Sequence, residues 1–168
     1  MAPEGLPNFE KIGNDVELAI SVSKNLESLL KKYFVFQRFD DDLPLGKLVK
    51  ASYLRQFVKD LIIKYIVETR NAIVHKHEKT CFTKEERAIF LECNKETLTY
   101  LLKKNQIEQL MTSSLTKNEA NRFKDLDKES YELDILFERE ISLIVREAKI
   151  NSQNLQNTPT LKACEKNI

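Results

Sequence analysis

The sequence predicts an all-α protein, an up-and-down helical bundle of four long helices plus one or two short ones. Three observations carry this. Only three Gly and four Pro occur among 168 residues and Trp is absent; an all-β fold needs many tight turns, so the shortage favours helices. Apolar residues recur every three or four positions over long stretches. Two Thr-x-x-Glu sequences stand at the heads of such stretches, where the Thr hydroxyl and the Glu carboxylate can satisfy a helix's first amides.

The first long helix is expected over residues 9–34. Phe9, Ile12, Val16, Ala19, Leu26, Leu30 and Phe34 keep one face apolar. Gly13 is an interior cost, so the helix is expected to begin near it. QRFDDDLPLG reads as a loop: Asp40, Asp41 and Asp42 repel one another, and Pro44 and Gly46 punctuate. LGKLVKAS reads as a short helix. LRQFVKDLIIKYIVETRNAIVHKH reads as a second long helix. Its apolar residues, from Leu54 to Ile73, cover more than one stripe, which places it centrally. The β-branched run at 62–67 alone would suit a strand; length and the charges every few residues argue for helix.

Thr83 and Glu86 form the first capping sequence, starting a third long helix through about Lys104, with Ile89, Phe90, Cys93, Leu98 and Leu101 apolar. Residues 106–115 read as a short connecting helix. Thr116 and Glu119 form the second capping sequence, heading a fourth long helix through about Ile150 with Phe123, Leu126, Phe137, Ile141, Ile144 and Ala148 inward. The chain thus divides into a helical domain over residues 1–150 and a polar tail over 151–168, NSQNLQNTPTLKACEKNI, expected to be poorly ordered.

With 42% hydrophobic and 32% charged residues, the composition suits a soluble globular chain with a charged surface. No apolar run is long enough to span a bilayer, and MAPEGLPNFE lacks a signal-peptide core. Cys81, Cys93 and Cys164 are odd in number and contain no CxxC, so reduced thiols in a cytoplasmic protein are expected. The net charge of +1 hides an asymmetry. Between Gly46 and Lys79, eight basic residues (Lys47, Lys50, Arg55, Lys59, Lys64, Arg70, Lys76, Lys79) face three acidic ones, giving +5 against −4 elsewhere. Such a segment is either a solvated face or a local attraction for phosphates.

Both histidines, His75 and His77, lie in TRNAIVHKH, next to Arg70 and Asn71. On an ideal helix Arg70 and His75 diverge by roughly 140°. Asn71 and His75 are one turn apart and share a face. A long arginine can curl toward that face, so one edge offers a guanidinium, an amide and an imidazole. This set suits RNA cleavage without a metal. The 2′-OH is the nucleophile, an imidazole can take its proton or protonate the leaving 5′-oxygen, and a guanidinium can hold two phosphate oxygens. One imidazole cannot easily be both base and acid, so a two-fold dimer is expected.

RNAIVH resembles the Arg-polar-x-x-x-His motif of the HEPN superfamily (higher eukaryotes and prokaryotes nucleotide-binding). SKNLESLLKKYF resembles the first long helix of many small members, and LGKLVKAS their following short helix. The resemblance covers residues 9 to about 104. It implies a dimeric helical bundle with the motif at a cleft between protomers, and a metal-independent endoribonuclease of the toxin or antiphage kind. Carried over, Arg70 and His75 are the catalytic pair and Asn71 the polar position. Lys64, Lys76, His77 and Lys79 are expected RNA contacts. No cofactor and no membrane partner are implied; an antitoxin or regulatory protein is a further expected partner. Some toxins carry a modifiable Tyr two residues after the motif His. Here that position is His77, so that mode of silencing is not implied.

Blander readings stand beside these. His75 alone would suit a helix C-terminus, where the macrodipole favours it. A metal site of His75, His77 and Cys81 lacks a fourth ligand, and His-x-His diverges on a helix. Cys93 reads as core, as do Tyr33, Tyr53, Tyr65, Phe34 and Phe57. The alternative function is a non-catalytic HEPN module binding RNA, a nucleotide or a partner protein through the same cleft. A third is a regulatory subunit whose last helix docks a partner.

Overall fold

A computed structural model describes residues 7–35, 43–74 and 81–155. These residues are all helix and connection, with no strand among them. After a 3₁₀ turn at Phe9–Lys11 come α1 (Asp15–Tyr33), α2 (Leu45–Ala51), α3 (Gln56–Ile62), a π-helical turn (Ile63–Val67), α4 (Glu68–Val74), α5 (Lys84–Thr116) and α6 (Ala120–Leu155). α3, the π turn and α4 succeed one another without a break in helical backbone. Two long helices, α5 and α6, pack along each other; α1, α3 and the π turn pack against them, and α2 and α4 pack on α1 and the π turn.

α1 starts later than residue 9 because Asn14 is the better cap: its Oδ1 accepts the Glu17 amide at 2.9 Å. The open stretch 12–14 separates it from the 3₁₀ turn, so the expected cost of Gly13 inside a helix does not arise. Leu18, Ala19, Val22, Leu26 and Leu30 are buried on one face, together with Ser23. α2 is the expected short helix, with Leu45, Leu48 and Val49 buried. After it, the Tyr53 hydroxyl donates to the Tyr33 carbonyl at 2.7 Å and is paired with Glu108, which ties the α2–α3 connection to α1 and α5.

The β-branched run at 62–67 is helical, as expected, and carries the π turn. A π turn accommodates one extra residue and rotates the next helical segment relative to an unbroken α-helix. The wide turn lets the adjacent Ile66 and Val67 both be buried. Val67 in turn meets α2: a Cβ on Gly46 would stand 3.4 Å from Val67 Cγ1. That close approach brings α2 against the face of the helix that leads into α4.

Thr83 and Glu86 form the expected capping box, with amide-to-side-chain bonds of 2.9 and 3.1 Å. Asp15 binds the Phe82 amide at 2.7 Å and pairs with Arg87, so the heads of α1 and α5 are joined. Two expectations are corrected beyond this point. Residues 106–115 are not a separate connecting helix; α5 runs unbroken to Thr116. The second capping sequence is not a cap, because Thr116 is still inside α5, donating to the Thr112 carbonyl at 3.0 Å. α5 instead ends in a Schellman turn. Asn118 adopts a left-handed φ of 61°. Its amide reaches Leu115 O at 3.2 Å, and the Glu119 amide reaches Ser114 O at 2.8 Å. Asn is the non-glycine residue that tolerates this conformation best.

α6 continues through 151–155, residues expected in the tail, and the tail reading for 156–168 lies outside the described residues. Leu126, Phe137 and Ile141 face inward as expected, while Phe123, Ile144 and Ala148 are half-buried. Among the core residues are Leu18, Leu26, Ile62, Ile66, Phe90, Leu101 and Phe137. No described helix is long and apolar enough to cross a membrane.

Candidate functional site

Arg70 is presented by the first turns of α4, just after the π turn. Its Nε donates to Ser23 Oγ at 3.0 Å. Its Nη1 donates to Asn71 Oδ1 at 3.0 Å. Ser23 is buried in α1 and spends its own proton on the Ala19 carbonyl at 2.8 Å, so its oxygen meets Arg70 as an acceptor. The guanidinium is therefore oriented from two sides, by a core hydroxyl and by the neighbouring amide. With its oxygen engaged, the Asn71 side chain presents its donor nitrogen as the end suited to an anion.

Arg70 and Asn71 line a cleft of about 400 Å³ between α2 and the π turn. Lys47 and Lys50 of α2 line it from the other side, and Glu68 is its acidic member. The sequence brings these together by two local devices. The π turn sets the rotation of α4 relative to α3, and α2 packs on that turn with Gly46 facing Val67.

The expected site residues fall into three groups. Arg70 and Asn71 are brought together in this cleft. Lys64 is not: it lines a neighbouring cleft of about 240 Å³ with Thr69, Ile73, Phe82 and Glu86, and Glu68 borders both clefts. Its ammonium lies 5.3 Å from the Tyr65 ring centroid. His75, Lys76, His77 and Lys79 lie outside the described residues. Ser23, Lys47 and Lys50 were not singled out from sequence. The two lysines had a signal, since both belong to the basic segment 46–79. Ser23 had a fainter one, a hydroxyl residue on the apolar stripe of α1.

The cysteines divide. Cys93 is free and buried. Its thiol is pushed up to about 12 by burial, then by Glu92 and Glu96, so it stays protonated and unreactive at ordinary pH. Cys81 is disulfide-bonded, which corrects the expectation of reduced thiols and removes its sulfur from the metal reading with His75 and His77.

A second charged cluster lies between α3, α5 and α6. Asp134 is fully buried. It accepts from Lys104 Nζ at 2.9 Å, from Arg55 Nε at 3.0 Å and from the Tyr100 hydroxyl. Burial and the Asp134 carboxylate raise the Tyr100 hydroxyl far above its ordinary range, so it remains a donor. The Arg55 guanidinium stacks 4.7 Å from the Tyr131 ring centroid. This cluster offers a ligand no open face at its acid and holds α6 in register.

Comparison with known proteins adds no relative: no protein family, no curated protein and no solved structure matches the chain.

Proposed function

We propose that this protein is a metal-independent endoribonuclease of the HEPN type, working as a homodimer in a toxin or antiphage role. The observation that carries the reading is the anchored guanidinium of Arg70 in a cleft whose lining holds three cations against one carboxylate. An oriented guanidinium can bind two non-bridging phosphate oxygens and stabilise the charge that develops on them. Supporting it are the RNAIVH spacing, the helical order of α1, α2 and the rod ending in α4, and the positive segment around them. In this reading the helices form an up-and-down HEPN-like bundle.

The residue types set the chemistry. His75 takes the proton from the 2′-OH; the 2′-oxygen attacks phosphorus as the bond to the 5′-oxygen breaks. The leaving oxygen receives a proton from the second subunit's copy of the same imidazole. The products are a 2′,3′-cyclic phosphate and a 5′-OH. Arg70 holds the phosphate, and Asn71 orients the guanidinium through its amide oxygen. The substrate is single-stranded RNA or a loop, because the 2′-OH must reach in-line geometry. An antitoxin or regulatory protein would control access.

Arg70→Ala and His75→Ala are expected to lower cleavage of a single-stranded RNA by at least about a hundredfold. Circular dichroism and melting should stay close to wild type, and EDTA should not inhibit. Intact RNA after prolonged incubation with wild type would defeat the enzyme reading. The cleft's own donors, Arg70, Lys47 and Lys50, favour one other reading: a HEPN module that binds RNA, a nucleotide or a partner protein without cutting. Binding without cleavage is its signature.

A further inference from the structure

We infer that α2 is the strand-tracking wall of the cleft, with Lys47 and Lys50 holding two successive phosphates next to the one at Arg70. This rests on the ribonuclease reading for its substrate class and adds two contacts to it. Lys47 and Lys50 are three residues apart on α2. Residues so spaced on a helix are surface neighbours, about 5–6 Å between Cβ atoms, which suits successive phosphates of an extended strand. Both are exposed at their own positions, yet both line the cleft that contains Arg70 and Asn71.

Their placement is fixed from three sides. Gly46 sits against Val67 at the π turn, with Leu45 and Leu48 buried beneath. At the other end of α2, Lys59 Nζ of α3 donates to the Lys50 carbonyl at 2.8 Å. Ser52 closes the helix by donating to the Val49 carbonyl at 2.6 Å. The backbone carrying the two lysines is therefore docked, while their ammonium groups keep the mobility that phosphate tracking tolerates. Lys64 lines the neighbouring cleft, which shares Glu68 with this one, so the cations facing Arg70 come from α2. A lysine binds a phosphate as a point charge without reading sequence, so the wall supplies affinity and orientation and leaves base choice elsewhere.

The test uses a short single-stranded deoxyribose oligonucleotide. It carries the same phosphates and lacks the 2′-OH, so it cannot be cut. Binding to the full chain is measured by fluorescence anisotropy over a series of salt concentrations. For single strands the slope of log K against log salt is negative, and its magnitude falls by about 0.7 for each phosphate that the protein no longer neutralises. The double variant Lys47→Gln/Lys50→Gln is expected to make the slope shallower by about 1.4, with an unchanged melting temperature. Lys128→Gln, on the exposed face of α6, should leave the slope unchanged. Equal slopes for wild type and double variant would overturn the inference, as would an equal fall in Lys128→Gln or no binding by wild type. A wild type that cuts RNA with a slope indifferent to both lysines removes the α2 wall and leaves the nuclease. A lysine-dependent slope without any cleavage of the matching RNA removes the nuclease and leaves the wall.

Discussion

Two arginines, Arg55 and Arg70, stand near opposite ends of one helical rod in very different surroundings. Arg55 joins Asp134, Lys104 and Tyr100 in a cluster whose carboxylate is fully buried and accepts from three donors. Arg70 is oriented by Ser23 and Asn71 at the wall of an open cleft of about 400 Å³. Both clusters are charged and hydrogen-bonded, so neither charge nor bonding separates a structural cluster from a functional one. The separation lies in access. Donors that converge on a buried acid hold two helices together. Donors that converge beside a cavity are placed for something that arrives.

The largest effect is expected from Asp134→Ala. It leaves the buried Tyr100 hydroxyl without its carboxylate acceptor and the buried Lys104 ammonium without its counter-charge, bonded to the Ser130 carbonyl at 3.3 Å. Removing one member of a buried pair costs about 3–5 kcal/mol. Urea denaturation should show that cost, while cleavage per folded molecule stays at the wild-type level, because no member of this cluster lines the Arg70 cleft. A fall in cleavage that exceeds the decrease in folded protein would merge the two regions into one.

Ser23→Ala should do the reverse. The hydroxyl is a single acceptor for Arg70 Nε, so stability should drop by only about 1 kcal/mol. Cleavage should fall by roughly tenfold as the guanidinium gives up one of its orienting bonds. Unchanged kinetics would mean that Ser23 has no part in aiming Arg70.

The smallest effect tests a carboxylate away from both clusters. Burial raises the Glu96 carboxyl, and Glu140 raises it further. A raised folded value means that the folded state holds its proton more tightly than the unfolded chain. That contribution is fully present below the ordinary glutamate range and is lost as pH rises through the raised value. At neutral pH the carboxylate is thus a mild liability, and Glu96→Gln should stabilise by a few tenths of a kcal/mol, given its partial exposure. The gain should shrink as pH falls below the raised value. Denaturant midpoints at neutral and acidic pH would check the sign.

Much of the helical order is legible in the sequence because local rules and tertiary context agree. The apolar faces of α1 and α6 keep helical spacing, and Thr83 with Glu86 satisfies the amides that any helix start leaves open. The departures are also instructive. Thr116 and Glu119 match a capping sequence by residue type, yet the Schellman turn at Asn118 consumes that segment, because the preceding helix needed an end more than the next needed a cap. Nothing in the spacing singles out Asp134 and Lys104. Only the packing of α5 against α6 shows that each occupies a core position for the other. In the candidate site, Arg70 and Asn71 were legible because they are adjacent in sequence. Lys47 and Lys50 were not, since their relation to Arg70 passes through the Gly46–Val67 contact, which spacing along the chain does not encode.

The π turn at Ile63–Val67 makes the aim of Arg70 a matter of residue count as well as residue identity. One amino acid fewer in that turn would restore the plain helical ladder and swing everything downstream by about 100°. Arg70 would then face away from Ser23, although every side chain named in the cleft were still present. A homologue with a perfect match to RNAIVH but a shortened rod would thus carry the letters without the orientation.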